Sequence, residues 1–258
     1  MSFAIATRAE VLKTKRTASV WLTVLGAGFI PSLFFFGFIF KPGGAIKQLA
    51  AAPWTTHFLW GWYALSSFLF PMYIILICSL IPQIEYKNNT WKQVFAAPQS
   101  VGTIFFSKFL TIQFMIVFFF LLFNGFMLGC GILVNLFNPK FTFLDHAVPW
   151  SDLIKLNLKT YTSILGISAI QYAVSLRFKN FITPIGIGLG LLIAALLGSD
   201  LHWSHIYKMP YAHPLLTLKY MAGKDRPFLE NHEWNALLFC IAFLAIGFLD
   251  TRFRKEKG

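Results

Sequence analysis

The residues whose types could do chemistry are concentrated in one polar segment, from Glu85 to Pro98, which separates two long apolar runs. Asn89 or Thr90 can cap a short helix there, because their side chains accept hydrogen bonds from free backbone amides. Pro98 prevents that helix from continuing. The segment is therefore suited to contact with another molecule.

Within such a helix, Trp91, Val94 and Phe95 share one face by i, i+3 and i+4 spacing. Glu85 and Lys92 would orient the helix, with smaller effects if they stay solvated. An apolar face of this kind needs either lipid headgroups or a groove in a partner protein. The chemistry of these residues alone leaves both occupants open.

Long apolar runs surround this segment and must position it. The 258 residues are 57% apolar and only 12% charged, which is rare in a soluble domain. About 20 apolar residues cross a bilayer as a helix, and a helix pairs its own backbone groups in lipid. The sequence therefore predicts an all-α integral membrane protein, a single domain over 1–258, with six transmembrane helices at residues 18–40, 58–83, 104–136, 158–176, 181–199 and 235–250.

Residues 2–17 are expected to form an amphipathic helix that lies at the membrane interface, with Phe3, Ala6, Ala9 and Leu12 at helical spacing. This helix would serve as a membrane anchor or as a contact for a partner, and both roles stay open. The first apolar run is too long for a cleaved signal peptide, so we expect it to remain as a span.

The net charge of +12 is consistent with a membrane location. With six spans, both termini lie on the same side, and the short segments on that side hold most of the 22 basic residues. The positive-inside rule places that side in the cytoplasm. The sequence thus predicts a multi-pass protein of the cell inner membrane with both termini cytoplasmic, and its charge requires no nucleic-acid partner.

The longest outer segment, residues 200–234, contains His202, His205, His213 and His232. The first two have an i, i+3 spacing that would bring two imidazoles to one metal, but no cysteine joins them and the nearby acids are scattered. We expect a partly embedded hairpin with interfacial aromatic residues, and neither a metal site nor another cofactor. The three cysteines lie in apolar runs, where they pack as small apolar residues.

Few polar residues interrupt the predicted spans. Gln113, Asn124 and Gln171 would either hydrogen-bond between helices or line a path, and we favour the first role. The glycine pairs Gly125–Gly129 and Gly186–Gly190 have the spacing that lets two helices approach closely.

The polar segment and its continuation resemble the membrane subunits of type-2 ABC exporters. Those proteins show an acidic residue after span two, a Thr-Trp-Lys-like step, an Ala/Ser-x-Pro turn and a Ser-Lys pair before span three. The corresponding residues here are Glu85, Thr90-Trp91-Lys92, Ala97-Pro98 and Ser107-Lys108. The stretch from Ala9 to Thr17 is also similar to the branch associated with lantibiotic protection.

The resemblance implies a function for each part of the chain. Residues 84–107 would be a cytoplasmic coupling segment whose short helix docks on a separate ATPase subunit. The residues that the resemblance assigns to this coupling are Glu85, Thr90, Trp91, Lys92, Phe95 and Pro98. Spans one and five would contact a second membrane subunit, the same chain or a sister, with Gly186 and Gly190 at that interface. Residues 200–234 would form a re-entrant hairpin.

The expected function is that of the transmembrane subunit of an ATP-driven exporter, with a peptide or a lipid as substrate. The chain lacks Gly-x-x-x-x-Gly-Lys-Ser/Thr, so ATP would be bound by the partner. The alternatives are an intramembrane enzyme and a membrane sensor or structural protein. Against an enzyme, His232-Glu233 is not followed by the second histidine of a zinc protease, and no Gly-x-Ser-x-Gly elbow is present. We expect no catalytic residues.

Overall fold

A computed structural model describes residues 3–88, 91, 99–221, 227 and 229–253. Within these ranges the regular structure is entirely helical. Short 3₁₀ turns occur in the connections, and a five-residue π turn, Leu65–Leu69, joins α4 to α5. The helices are α1 (Phe3–Thr14), α2 (Ala18–Phe40), α3 (Pro42–Leu49), α4 (Pro53–Ala64), α5 (Phe70–Lys87), α6 (Val101–Phe137), α7 (Trp150–Arg177), α8 (Ile182–Asp200), α9 (His213–Met221) and α10 (Asn231–Phe253).

Five stretches of the described chain are helices long and apolar enough to cross a membrane: α2, the α4–α5 stretch, α6, α8 and α10. The predicted all-α membrane fold is therefore confirmed. The expected fourth span, residues 158–176, lies within α7, which has 28 residues but is more polar than the others. Asp152, Lys155 and Lys159 occupy its first turns. The count of six spans thus stays a prediction, with α7 as the sixth.

The π turn has a local cause in the sequence. Pro71 lacks the amide hydrogen that would continue the helix, and its ring clashes with the carbonyl four residues earlier. The chain accommodates this by widening one turn, so that the amide of Phe70 bonds to the carbonyl of Leu65. The second expected span, residues 58–83, is consequently two helical stretches joined by a wide turn.

The core of the bundle is built on aromatic side chains. Trp62 is fully buried, and its indole meets the rings of Phe120 and Phe123 edge-on at 5.1 and 5.0 Å between centroids. Elsewhere, small residues let helices approach closely. A Cβ built at Gly166 of α7 would lie 3.2 Å from the carbonyl oxygen of Ala236 in α10, so these two helices pack backbone to backbone.

We call the end of the bundle that carries α1, Lys87 and Arg177 the proximal end, and the end that carries α3 and Trp150 the distal end. At the proximal end, Arg177 pairs with Asp250 at 3.1 Å. At the distal end, the indole of Trp54 donates hydrogen bonds to the carbonyls of Phe143 and His146 at 2.9 and 3.1 Å. These contacts hold the connection between α6 and α7 against α4.

The segment between α8 and α10 folds back into the bundle. Residues 210–218 are buried without interruption. Tyr211 donates a hydrogen bond to Oε1 of Gln171 in α7 at 2.9 Å, deep among the helices. The expected hairpin thus contributes to the core, and α9 packs against α7 and α10.

Candidate functional site: a buried charge cluster at the proximal end

Four charged side chains from three helices meet at the proximal end. Nζ of Lys108 in α6 lies 2.6 Å from Oε2 of Glu10 in α1 and 2.6 Å from Oε1 of Glu85 in α5. Nζ of Lys13 lies 2.5 Å from Glu10 and 3.0 Å from the same Glu85 oxygen. We call Glu10, Lys13, Glu85 and Lys108 the charge cluster. Its two acids balance its two bases.

Burial makes this balance necessary. The side chains of Glu85 and Lys108 are each 1% exposed, and that of Glu10 is 10% exposed. An isolated charge at such depth is strongly destabilising, whereas a paired and hydrogen-bonded one is tolerated. Burial raises the pKa of Glu10, but the charge of Lys108 and hydrogen bonds from Lys108 and Lys13 outweigh it, so that this pKa lies below its ordinary value of 4.5.

The cluster also decides how α1 lies on the bundle. Its buried positions include the polar residues Thr7, Glu10 and Thr14. The apolar side chains of Phe3, Ile5 and Leu12 are exposed instead. The sequence pattern predicted an apolar face of α1 that meets either the membrane or a partner, and the ion pairs instead turn the polar face of α1 inward. The exposed apolar residues stay available to a membrane surface.

Trp91 packs onto the cluster. It is 6% exposed, its ring lies 5.2 Å from that of Tyr86, and Nζ of Lys108 lies 5.5 Å from its centroid. A lysine over a tryptophan face gains a cation–π attraction. Tyr86 in turn donates a hydrogen bond to the carbonyl of Leu176 in α7 at 2.9 Å.

Of the sequence-predicted coupling residues, the structure brings together Glu85 and Trp91. The others, Thr90, Lys92, Phe95 and Pro98, lie outside the described residues. The side chain of Trp91 packs against Tyr86 and Lys108 of its own chain and is therefore buried without any partner protein. Just beyond the segment, the side chain of Ser100 accepts a hydrogen bond from the amide of Thr103 and caps α6.

The second predicted site, on α8, lies apart from the cluster. Gly186 and Gly190 are exposed, and a Cβ at either position would meet nothing within 4 Å. Gly188 faces the other way, where a Cβ would lie 2.7 Å from Oε1 of Gln171 and 2.8 Å from Ile75. The structure therefore places Gly188 in the packing of the chain itself and leaves the predicted pair open on the outer face.

The polar residues inside the spans form hydrogen bonds between helices. Gln113 accepts from Tyr161 at 3.0 Å, and the amide of Gln171 donates to the carbonyl of Pro184 at 2.7 Å. The amide of Asn124 donates to Asn157 at 2.8 Å. This agrees with the role we favoured for these side chains.

Comparison with known families now adds to this geometry. A family model described as ABC-2 family transporter protein matches residues 6–195. The chain belongs to this family. The match includes most of α1, the charge cluster and most of α8. It makes this ABC-2 chain a multi-pass membrane subunit of an ABC transporter. Searches of curated proteins and of solved structures returned no match, and the lantibiotic branch stays a prediction.

The four histidines that this ABC-2 subunit carries in residues 200–234 fall into two groups. His202 and His205 are exposed. His213 and His232 are buried with their rings 5.9 Å apart, and Thr217 bonds to Nε2 of His232 at 2.9 Å. In the part of the chain that the structure describes, no three His, Cys, Asp or Glu side chains are grouped to hold a metal.

Sequence reasoning missed Glu10, Lys13 and Lys108 as members of the site, although Glu10 and Lys108 left a signal. Glu10 and Glu85 are the only acidic residues before Asp145. Lys108 is the only charged residue in the sequence of α6. A lone lysine inside an apolar helix requires an acidic partner, and only these two acids precede it.

Proposed function

We propose that this ABC-2 subunit belongs to an ATP-driven exporter and receives its driving force from a separate ATPase subunit through residues 84–107. The observation that carries the proposal is the charge cluster, which joins α1, the end of α5 and the start of α6 around the two ends of this segment. A displacement of this segment by the ATPase would therefore move α1, α5 and α6 together. The movement would be transmitted to the membrane-spanning helices α5 and α6 and would not stay confined to the segment.

In this proposal the residues of the segment have different tasks. Glu85 and Trp91 fasten it to the subunit, since both are buried within the chain. Thr90, Lys92, Phe95 and Pro98 belong to the part that meets the ATPase. Aromatic anchors supply much of the energy of such contacts, and losing Trp91 and Phe95 together should cost about 2–4 kcal/mol of the contact with the ATPase.

The proposal also includes the location and orientation of the subunit. The subunit lies in the inner membrane, with both termini and residues 84–107 in the cytoplasm. A second membrane subunit, the same chain or a sister, packs against the open face of α8 at Gly186 and Gly190. The substrate class is a peptide or a lipid.

The test is co-expression with a stand-alone ABC ATPase subunit, followed by co-purification and measurement of ATP turnover. Trp91→Ala combined with Phe95→Ala should leave insertion intact but lose the ATPase and its stimulation. The matched control is Phe181→Ala, because Phe181 is an exposed aromatic in the short proximal connection between α7 and α8. Retention of the ATPase and normal transport in the double variant would overturn the proposal.

A further inference from the structure

A groove opens between α2 and α6 in the distal half of the bundle. Its volume is about 660 Å³, within the range of about 300–1,000 Å³ that is typical of small-ligand sites. The lining is apolar apart from Ser32, whose hydroxyl is already bonded to the carbonyl of Gly28 at 2.8 Å. Among the residues that the structure describes, no charged side chain lines the groove.

Small residues keep the groove open. Gly125 and Gly129 form part of its α6 wall, and a Cβ at either position would meet nothing within 4 Å. Phe29 and Phe36 of α2 stand at its rim and are 51% and 54% exposed. The glycine pair therefore leaves a space that no side chain of the described residues fills.

The dimensions of the groove match one half of a bilayer. Its α2 wall runs from Val24 to Phe36, or about 18 Å at about 1.5 Å per residue. One leaflet contributes half of a hydrocarbon core of about 30 Å. A concave apolar surface at this depth is filled by hydrocarbon, because the dispersion contacts along its walls are otherwise lost.

Positive charge marks the distal end of the same groove. Lys41 directly follows α2, Lys140 lies just beyond α6, and both are exposed. The two helix ends are adjacent, since the rings of Phe38 and Phe141 lie 5.4 Å apart. The connections 41–52 and 138–149 contain three lysines, including Lys47, against one acid, Asp145.

We propose that the groove binds one anionic phospholipid, with an acyl chain between α2 and α6 and the phosphate at Lys41 and Lys140. The charge complementarity selects an anionic headgroup, and the groove length selects a single chain of one leaflet. A subunit interface on α8 does not compete for this space, because α8 packs on α5. A subunit contact on α2, which the family resemblance also implies, would compete for the groove, and the cross-linking experiment below distinguishes it from lipid. The inference is independent of which side of the membrane is cytoplasmic.

The test uses the full chain in nanodiscs of phosphatidylcholine with one quarter phosphatidylglycerol, extracted gently and examined by native mass spectrometry. The wild type should retain one phosphatidylglycerol. Gly125→Leu with Gly129→Leu fills the groove and should lower the retained fraction at least fivefold, with unchanged thermal unfolding. The matched control is Gly186→Leu with Gly190→Leu, which places the same side chains on another open face and should retain the lipid.

A second double variant tests recognition of the lipid headgroup separately from binding of the acyl chain. Lys41→Gln with Lys140→Gln should abolish the preference for phosphatidylglycerol over phosphatidylcholine, with either lipid still held. Equal retention by the groove-filled variant, or no lipid on the wild type, overturns the proposal. So does disulfide cross-linking of Gly129→Cys to a second copy in place of lipid retention, because a helix of the partner then occupies the groove.

Discussion

The ammonium group of Lys108 lies 2.6 Å from Oε1 of Glu85, and both side chains are 1% exposed. This ion pair joins the start of α6 to the end of α5 on either side of the proposed coupling segment. Because both groups have left water, the pair is stable only while both partners are present. Its value to the protein is the fixed geometry it imposes on the two helices.

Removing both members of the pair should therefore cost less than the sum of the costs of removing each alone. Lys108→Met leaves Glu10 and Glu85 with only Lys13, and should lower the unfolding free energy by about 3–5 kcal/mol. The double variant Glu85→Gln with Lys108→Met should lose less than the sum of the two single losses. Thermal unfolding in detergent measures this, and additive losses would contradict the direct pairing.

The stability of the proximal end should decrease at low pH. The folded-state pKa of Glu10 is lowered below 4.5, despite burial, by Lys108 and Lys13. Its carboxylate therefore stabilises the fold above pH 4.5, and that contribution disappears as the pH falls through the lowered pKa. The melting temperature should drop over this window, and Glu10→Gln should flatten the drop. Asp250→Asn, in a more exposed ion pair, is the control and should keep it.

Gln171 should matter for folding more than for passage of substrate. It accepts from Tyr211 and donates to the carbonyl of Pro184, so Gln171→Leu removes both hydrogen bonds and leaves the buried hydroxyl of Tyr211 without this acceptor. Hydrogen bonds between helices in membranes contribute about 0.6 kcal/mol on average and at most about 1.7. We expect a small loss of thermal stability with unchanged substrate selectivity. A changed selectivity would instead place Gln171 on the path.

The glycines of α8 allow a matched comparison on one helix. Gly186→Leu with Gly190→Leu should leave the folded subunit intact, because both positions are open, and should weaken cross-linking between subunits. Gly188→Ala should reduce the yield of folded protein, because its Cβ would overlap Gln171 and Ile75. Cross-linking yield and thermal unfolding separate the two effects. Undiminished cross-linking in the double variant removes α8 from the interface.

The proposed orientation is tested by cysteine labelling with a reagent that does not cross the membrane. Gly43→Cys and Ser204→Cys lie at exposed distal positions and should react from outside. Asn180→Cys, exposed at the proximal end, should react only after the membrane is opened. Asn89→Cys, in the proposed coupling segment, should behave in the same way. Labelling of Asn89→Cys in sealed cells would show that the proposed orientation is wrong.

Apolar runs predicted the helices well because they are local signals. The run 18–40 coincides with α2, and the run 104–136 lies inside α6. The connection expected at residues 41–57 instead contains α3 and the first turn of α4, since short helices of mixed polarity leave no apolar run. Helix existence could therefore be predicted, and the structure of the connections could not.

The charge cluster could not be predicted by the same reasoning, because its members are far apart in sequence. Glu10 and Lys108 meet only after α1 has folded back onto α6, and no periodic pattern records that contact. For the same reason, the inward direction of Trp91 was not visible from its spacing with Val94 and Phe95. Spacing shows which residues share a face, whereas tertiary packing decides what that face meets.

The π turn at Leu65–Leu69 has a consequence for how the second span is arranged. A turn of five residues shifts the angular position of everything that follows it relative to an uninterrupted α-helix. The side of α4 that carries Trp62 and the side of α5 that carries Glu85 are therefore rotated relative to the positions that an uninterrupted α-helix would give them. One continuous span thereby presents aromatic residues to the distal core and an acid to the proximal cluster, each in its own direction. Deleting one residue from this turn would rotate α4 relative to α5. The aromatic contacts of α4 and the ion pairs of Glu85 could then no longer form at the same time.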